Sequence, residues 1–337
     1  MNKRLSIIIP LYNVRDYVDR TAKSIASQWT KDIEVIVIDD GSIDDSLDVC
    51  ISHLPDIEVI KIIQENKGLS AARNAGIRAA TGEYLLFLDG DDFLLPGAIR
   101  NILSLLEIDS PDVIYGRFLL WDFKRGFTPA RPYEYNPPED AKKRTEYILG
   151  NPSQPSWNAW RYITRRSFIT QNNLFFIDGI LSEDVPWTLT VLEAAGPISF
   201  LKEPFYAYYH SRPLSIMRSR NPKRLIDLNN SVANLVKQYK DRPVVCTQLV
   251  WQSFLFIYEY CLFKQTERNE IYNSYRAVLP KYNHSDVRLH RITSKCNNPL
   301  LLYVLSVGML ILRQMRRILV GVRRFPWRPK INTTSGY

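Results

Sequence analysis

The first hundred residues of this 337-residue chain predict an α/β fold, a mostly parallel sheet flanked by helices. Short, continuously apolar runs alternate with segments of helical spacing, a pattern typical of parallel strands that are covered on both faces. Polar clusters follow three of these runs. In parallel sheets ligands bind beyond the carboxyl ends of the strands, so the clusters indicate a binding site at that edge.

The first two strands are predicted from β-branched apolar runs. Leu5 to Ile9 is ended by Pro10, and residues 14–29 that follow have helical spacing. The second run covers 33–38 and is ended by an Asp-Asp-Gly-Ser turn, after which residues 47–54 predict a short helix. Strand, helix, strand, helix is the order expected of a doubly covered sheet.

The next two strands continue the alternation. A run over 57–63 precedes an alanine-rich helix over 69–80, and a fourth run over 84–88 leads directly into Asp89-Gly90-Asp91-Asp92. Beyond this point we expect one or two strands over 112–127, a proline-rich loop over 129–140, a mixed region over 157–210 with a helix over 184–195, and mainly helices after 221. The chain is therefore predicted to hold a catalytic domain over 1–220 and a helical C-terminal region over 221–337.

Composition and cysteine spacing restrict the class of protein. Hydrophobic residues make up 45% and charged residues 23% of the chain, which is ordinary for a folded domain. The four cysteines form no C-x-x-C pair, so we expect free thiols in a reducing compartment. The apolar run near the N-terminus is too short for a signal-peptide core. We therefore expect a cytoplasmic protein.

The carboxylates Asp89, Asp91 and Asp92 lie within four residues, directly after a strand. Such carboxylates repel one another unless a cation lies among them, and Mg²⁺ and similar hard cations prefer oxygen ligands and substrate phosphates. The cluster therefore suggests a metal–diphosphate site. The structural alternative is an acidic turn that caps the helix starting near Pro96.

Several motifs in a fixed order suggest a family. Pro10-Leu11-Tyr12-Asn13, Val37 to Ser42, Asn66 to Gly76 and Gly82 to Asp92 follow one another, and Ser182 to Trp187 follows later. Together they resemble family 2 glycosyltransferases, which are inverting enzymes with the GT-A fold. The resemblance implies a nucleotide-sugar donor, commonly a UDP-sugar, a hydroxyl acceptor in cell-surface polysaccharide synthesis, and Mn²⁺ or Mg²⁺.

The resemblance also implies roles for the acidic residues. Asp40 would hydrogen-bond the nucleotide base, commonly the uracil imide, and Asp39 would support that loop. Asp91 and Asp92 would reach the ribose and the metal, and Asp89 completes the D-x-D motif. The structural alternative for Asp39 and Asp40 is an Asx-type turn with the following glycine.

Further contacts with the donor follow from position in the motifs. Pro10, Tyr12 and Arg73 would line the donor site, and His210 would supply a last contact to the metal or the diphosphate. Arg212 could neutralise phosphate if the loop that contains it closes over the donor. The structural alternatives are a solvated helix residue for Arg73 and a satisfied structural histidine for His210.

Asp184 resembles the catalytic base of the family. A base takes the proton of the acceptor hydroxyl while the anomeric carbon is attacked from the face opposite the leaving group, and this single displacement inverts configuration. The structural alternative for Glu183 and Asp184 is a helix N-terminal cap. Trp187, one turn on, would either stack on an acceptor ring or serve the core.

Two other classes of function compete with the glycosyltransferase interpretation. A nucleotidyltransferase of related fold would carry a glycine-rich phosphate loop after its first strand, where this chain has Pro10-Leu11-Tyr12-Asn13. A non-catalytic sugar-nucleotide-binding module is the second alternative, and the intact acidic residues argue against it.

The last part of the chain carries an unusual charge pattern. The net charge is +9, and residues 299–337 contain seven Lys or Arg and no Asp or Glu, which suggests a local anionic partner and not a general affinity for nucleic acid. Leu300 to Leu312 is apolar but too short to span a bilayer. We therefore expect residues 299–330 to lie on the inner face of the membrane, near a lipid-linked acceptor. The alternative is a helix packed on the protein core.

Overall fold

The computed structural model describes residues 3–124, 126–128, 138, 140–150, 157–210, 212, 221–253, 260–276 and 278. Within these residues the chain forms a mixed sheet of nine strands: β1 (Leu5–Leu11), β2 (Ile33–Asp39), β3 (Val59–Ile63), β4 (Tyr84–Phe87), β5 (Phe93–Leu94), β6 (Val113–Asp122), β7 (Gly126–Thr128), β8 (Tyr162–Arg165) and β9 (Ile198–Tyr209). The strand order is β3-β2-β1-β4-β8-β6-β9-β5, and β7 pairs with β6.

Ten α-helices occur in the described part of the chain. They are α1 (Arg15–Ala26), α2 (Ser46–Ser52), α3 (Leu69–Ala79), α4 (Ala98–Ile108), α5 (Ala141–Leu149), α6 (Arg166–Gln171), α7 (Asp184–Ala194), α8 (Pro222–Gln238), α9 (Pro243–Ser253) and α10 (Gln265–Arg276). The predicted α/β class is therefore confirmed, and the first seven predicted elements are all present, with boundaries that differ by a few residues.

The centre of the sheet is buried on both faces. Every residue of β1 and of β4 is buried, and β1 pairs in parallel with both β2 and β4. Because neither face of these strands is in contact with water, their sequences are continuous apolar runs and do not alternate between apolar and polar residues. β1 continues through Pro10 to Leu11, two residues past the end of the predicted Leu5–Ile9 run.

The sheet stops being parallel beyond β4. β8 pairs antiparallel with β4 and also antiparallel with β6, so β4 and β6 run in the same direction. β5 pairs antiparallel with β9, and β9 pairs in parallel with β6. The carboxyl ends of β1, β2, β4 and β6 therefore share one edge of the sheet.

Helix α3 lies unusually close to the sheet. A Cβ atom at Gly76 would lie 2.3 Å from Cγ2 of Ile8 and 3.1 Å from Cδ1 of Ile38, so only glycine allows this approach without a shift of the neighbours. The close contact brings the first turns of α3 to the same edge of the sheet as the end of β4. This placement matters for the site because Arg73 lies in those turns.

Polar contacts join the C-terminal helices to one another and to the rest of the described chain. Nδ2 of Asn229 in α8 donates to Oγ of Ser274 in α10 over 3.1 Å. Arg242 pairs with Glu146 of α5 and with Glu193 of α7, each at 2.9 Å. None of the helices in the described residues is both long and apolar enough to cross a membrane. Residues 299–330 lie outside the described residues, as does most of the loop predicted over 129–140.

Candidate active site

The turns after β1 and β2 are tied together at the carboxyl edge of the sheet. The backbone N–H of Asp40 donates to the carbonyl of Leu11 over 2.9 Å. Asn13, which has a positive φ of 51°, accepts from the N–H of Ile43 on its side-chain oxygen and donates its own N–H to Ser42. The two polar clusters thus form one surface. Tyr12 is 47% exposed on that surface, whereas Pro10 is buried within β1.

The carboxylate of Asp40 organises the loop that leads into α3. It is 4% exposed, and its Oδ1 accepts from the side chain of Gln64 and the N–H of Lys67, while Oδ2 accepts from the N–H of Gly68 over 2.8 Å. Oδ2 therefore takes one bond in the described protein and has room for a second donor. Asp39 differs, because its Oδ1 closes a local turn by accepting from Ser42 N–H.

Arg73 is buried at the centre of an acidic cluster. Its guanidinium is 1% exposed; Nη1 lies 2.9 Å from Oε1 of Glu183 and 2.8 Å from Oδ1 of Asp184, and Nη2 lies 2.9 Å from Oδ1 of Asp89. Arg73 is therefore not the solvated helix residue of the structural alternative, whereas a contact with the donor stays a prediction. In the structure its side chain joins Asp89, two residues after β4, to the start of α7.

Two of the carboxylates around Arg73, Glu183 and Asp184, have raised pKa values. Burial raises the pKa of Asp184, and Arg73 opposes that rise. Burial, together with the charge of Asp184, raises the pKa of Glu183 to about 7 against the opposing effect of Arg73. A carboxylate with a raised pKa is a better proton acceptor near neutral pH than an ordinary exposed one. Glu183 uses its side chain for Arg73 and makes no side-chain cap to α7.

Asp91 faces a cation that the protein itself supplies. Nη1 of Arg212 lies 3.0 Å from Oδ2 of Asp91, and Nη2 of the same arginine donates to the carbonyl of Asn13 over 3.1 Å. The Arg212 guanidinium also lies 5.4 Å from the ring centroid of Tyr17. Burial raises the pKa of Asp91, and Arg212 opposes this rise. The position next to Asp91 Oδ2 therefore accommodates positive charge.

Asp92 serves the fold. It is 1% exposed, its Oδ2 accepts from the hydroxyl of Tyr206 over 2.6 Å, and its Oδ1 accepts from the N–H of Tyr209 over 2.7 Å. Its carbonyl accepts from the hydroxyl of Thr21 in α1. Each carboxylate oxygen of Asp92 thus accepts a hydrogen bond from β9, and the metal contact expected of Asp92 stays a prediction.

His210 lies just after the end of β9 and contacts β6. It is exposed, and its Nδ1 lies 3.1 Å from the carbonyl oxygen of Trp121 at the end of β6. Across the residues that the structure describes, no group of three His, Cys, Asp or Glu side chains is arranged to hold a metal ion. Asp91, Asp92 and His210 are therefore not assembled as a three-residue ligand set.

Aromatic residues that the sequence analysis did not assign to the site pack against the residues that form it. The ring of Trp160 stacks on that of Tyr206 with centroids 4.3 Å apart, which fixes the tyrosine that holds Asp92. Trp187 stacks on Phe176 at 4.6 Å and donates its indole N–H to Leu174, so its role is in the core and not at an acceptor ring.

Comparison with known proteins places the chain among sugar transferases. The profile described as "Glycosyl transferase family 2" matches residues 6–179. An uncharacterized glycosyltransferase of Bacillus subtilis strain 168, EpsJ, is 30% identical over 70% of this chain and 67% of its own length.

Two further comparisons concern named activities. An Escherichia coli protein, "UDP-Glc:alpha-D-GlcNAc-diphosphoundecaprenol beta-1,3-glucosyltransferase WfaP", is 36% identical over 34% of this chain and 46% of its own length. The crystal structure of S. aureus TarS 1-349 in complex with UDP-GlcNAc superposes with a TM-score of 0.68, covering 96% of this chain and 94% of TarS at 18% identity. At that identity the superposition establishes a shared fold.

Proposed function

Because this chain belongs to glycosyl transferase family 2, we propose that it transfers a sugar from a UDP-linked donor to a hydroxyl group of a glycan or lipid-linked acceptor, with inversion at the anomeric carbon. The observation that carries the proposal is the Arg73 cluster, which brings Asp184 and Asp89 onto one guanidinium. The acid after β4 and the acid at the start of α7 thus meet at the edge of the sheet where ligands bind. The UDP-GlcNAc bound in the TarS structure and the UDP-Glc in the name of WfaP support the choice of donor.

In the proposed reaction Asp184 accepts the proton of the acceptor hydroxyl. The acceptor oxygen forms a bond to the anomeric carbon from the face opposite the diphosphate, while the bond between that carbon and the diphosphate oxygen breaks. The electron pair leaves with the nucleoside diphosphate, and the proton remains on Asp184. Asp40 contributes to binding because its Oδ2 can accept a hydrogen bond from the base.

A divalent cation would be held mainly by Asp91, with Asp89 beside it. The described residues fit this role in part: Asp91 already faces the positive charge of Arg212, whereas each oxygen of Asp92 is engaged by a hydrogen bond from β9. Mg²⁺ and similar ions are commonly held by one or two carboxylates together with substrate phosphates and water. When bound, such an ion supplies neutralisation of the negative charge on the leaving diphosphate.

A screen of nucleotide sugars tests the proposal. Purified protein with Mn²⁺ is incubated with each donor, and release of nucleoside diphosphate is measured with and without candidate glycan acceptors. NMR of the product should show an inverted anomeric centre. Binding of donor with no turnover would support a non-catalytic module, and release of pyrophosphate from a nucleoside triphosphate and a sugar phosphate would support a nucleotidyltransferase.

We predict that Asp40→Ala weakens UDP binding by about 10- to 100-fold, since a hydrogen bond to a charged group contributes about 1.5–3 kcal/mol. Isothermal titration with UDP and Mn²⁺ measures the effect. Asp48→Ala, on the exposed face of the neighbouring helix α2, is the matched control and should bind like the wild type. Unchanged affinity in Asp40→Ala would remove Asp40 from the nucleotide site.

We further propose that residues 299–330 attach the enzyme to the cytoplasmic face of an anionic membrane. The support is the sequence: seven basic and no acidic residues beside an apolar stretch. Each arginine near an anionic surface contributes about 1 kcal/mol, and this part is screened over about 8–10 Å at physiological salt.

Liposome flotation tests the attachment. The full chain should float with vesicles rich in anionic lipid, less so as salt rises, and a chain truncated before Asn298 should not float but should still hydrolyse donor. If the full chain does not float with such vesicles at low salt, the alternative holds and residues 299–330 form a helix packed on the protein core.

A further inference from the structure

We propose that Arg73 is a positioning residue that fixes the carboxylate of Asp184 relative to Asp89. The catalytic base and the carboxylate on the donor side of the site are then held at a fixed distance and orientation. The inference rests on the proposed function, because it assumes that Asp184 is the base. It assigns to Arg73 a part in turnover and not in contact with the donor.

The geometry of the guanidinium supports this role. A guanidinium is a rigid planar fork of donors, and here its two terminal nitrogens bind side chains from opposite ends of the site, Asp89 after β4 and Asp184 at the start of α7. One rigid group therefore sets the spacing of two acids that are 95 residues apart in the sequence.

The surroundings keep Arg73 in this position. The guanidinium carbon lies 5.3 Å from the ring centroid of Phe176 and 5.9 Å from that of Phe87, so apolar rings flank it. Its Nε–H has no hydrogen-bond partner among the described residues. The carboxylates, together with these rings, therefore determine how the side chain is oriented.

The charges explain why Asp184 depends on Arg73. Asp89, Glu183 and Asp184 all lie within 2.9 Å of one cation, and in the described cluster no second cation pairs with them. Without the guanidinium, the buried carboxylate of Glu183 and the half-buried carboxylates of Asp89 and Asp184 would repel one another, and Asp184 would turn away or take up a proton before the acceptor arrived. A displacement of about 1 Å in a reacting group is enough to reduce turnover about 10²-fold.

Separate measurement of kcat and of the donor KM tests whether Arg73 is a positioning residue. In Arg73→Gln we expect kcat for transfer to fall by about 10²-fold while the donor KM changes by less than about threefold. Arg73→Lys keeps a cation at the cluster and should recover at least about tenfold over Arg73→Gln. Arg78→Gln, an exposed arginine on the same helix, is the matched control and should behave as the wild type.

A double-mutant cycle separates positioning from a general structural role. If Arg73 acts through Asp184, adding Arg73→Gln to Asp184→Asn should lower kcat by less than about threefold beyond Asp184→Asn alone. Losses that multiply, or an Arg73→Gln enzyme within threefold of the wild type, would overturn the inference. A wild type that turns over no nucleotide sugar would instead overturn the proposed function.

Folding of the variants is checked by circular dichroism and thermal unfolding. If Arg73→Gln does not fold, Arg73→Met with Glu183→Gln removes a carboxylate along with the cation and is compared with Glu183→Gln alone. The same loss of kcat with retained donor KM is expected in that pair. If Arg73→Lys and the double variant both fail to fold, Arg73 is a stabilising residue only and the positioning role is rejected.

Discussion

Asp184→Asn is expected to lower the turnover of sugar transfer by about 10²–10⁴-fold, because an amide cannot accept the proton of the acceptor hydroxyl. The amide oxygen can still accept from Arg73, so the arrangement of Asp184, Arg73 and Asp89 should persist. Donor affinity should therefore stay within a few-fold of the wild type. Steady-state kinetics of transfer, together with calorimetric titration of UDP, measure the two effects separately.

The matched control for this variant lies on the same helix. Glu193→Gln also changes an acid of α7 to its amide, but Glu193 pairs with Arg242 and not with Arg73. It should keep transfer turnover within a few-fold. Near wild-type turnover in Asp184→Asn would require another residue to be the base, and a product that retains the anomeric configuration would refute the single displacement.

Removal of divalent metal should have an effect at least as large. EDTA is expected to abolish transfer, and Mn²⁺ or Mg²⁺ should restore it, because a cation at Asp91 would neutralise the leaving diphosphate when it is bound. A titration of Mn²⁺ into the chelated enzyme, followed by transfer rate, gives the apparent metal affinity. Undiminished activity in EDTA would show that the charge is neutralised by protein groups such as Arg212.

Two neighbouring acids distinguish metal binding from stability. Asp91→Asn should raise the Mn²⁺ concentration needed for half-maximal rate by about tenfold or more, since it removes the charged oxygen that faces a cation in this structure. Asp92→Asn should instead lower the free energy of unfolding by about 1–3 kcal/mol, since an amide nitrogen cannot accept one of the bonds from Tyr206 and Tyr209. Urea unfolding measures the latter. If the two variants exchange these effects, the assignment of Asp91 is wrong.

The sequence by itself determined the class of fold and the region of the site. The local sequence pattern was sufficient to predict β1 and β4, because a strand that is buried on both faces must be a continuous apolar run. The order of motifs around Asp40, Asp89 and Asp184 was sufficient for the family, which the profile match confirms. These features can be predicted from the sequence because each depends on residues that are close together in the chain.

Only the tertiary structure decided what several of the predicted site residues do. The sequence predicted either a donor contact or a solvated helix residue for Arg73, but contacts with Glu183 and Asp184, more than a hundred residues away, make it the buried centre of the cluster. Asp91 and Asp92 are adjacent in sequence, yet one faces Arg212 and the other is held by β9. A side chain's role is set by the charge, burial and donors around it, and here those come from distant strands and helices that local pattern does not encode.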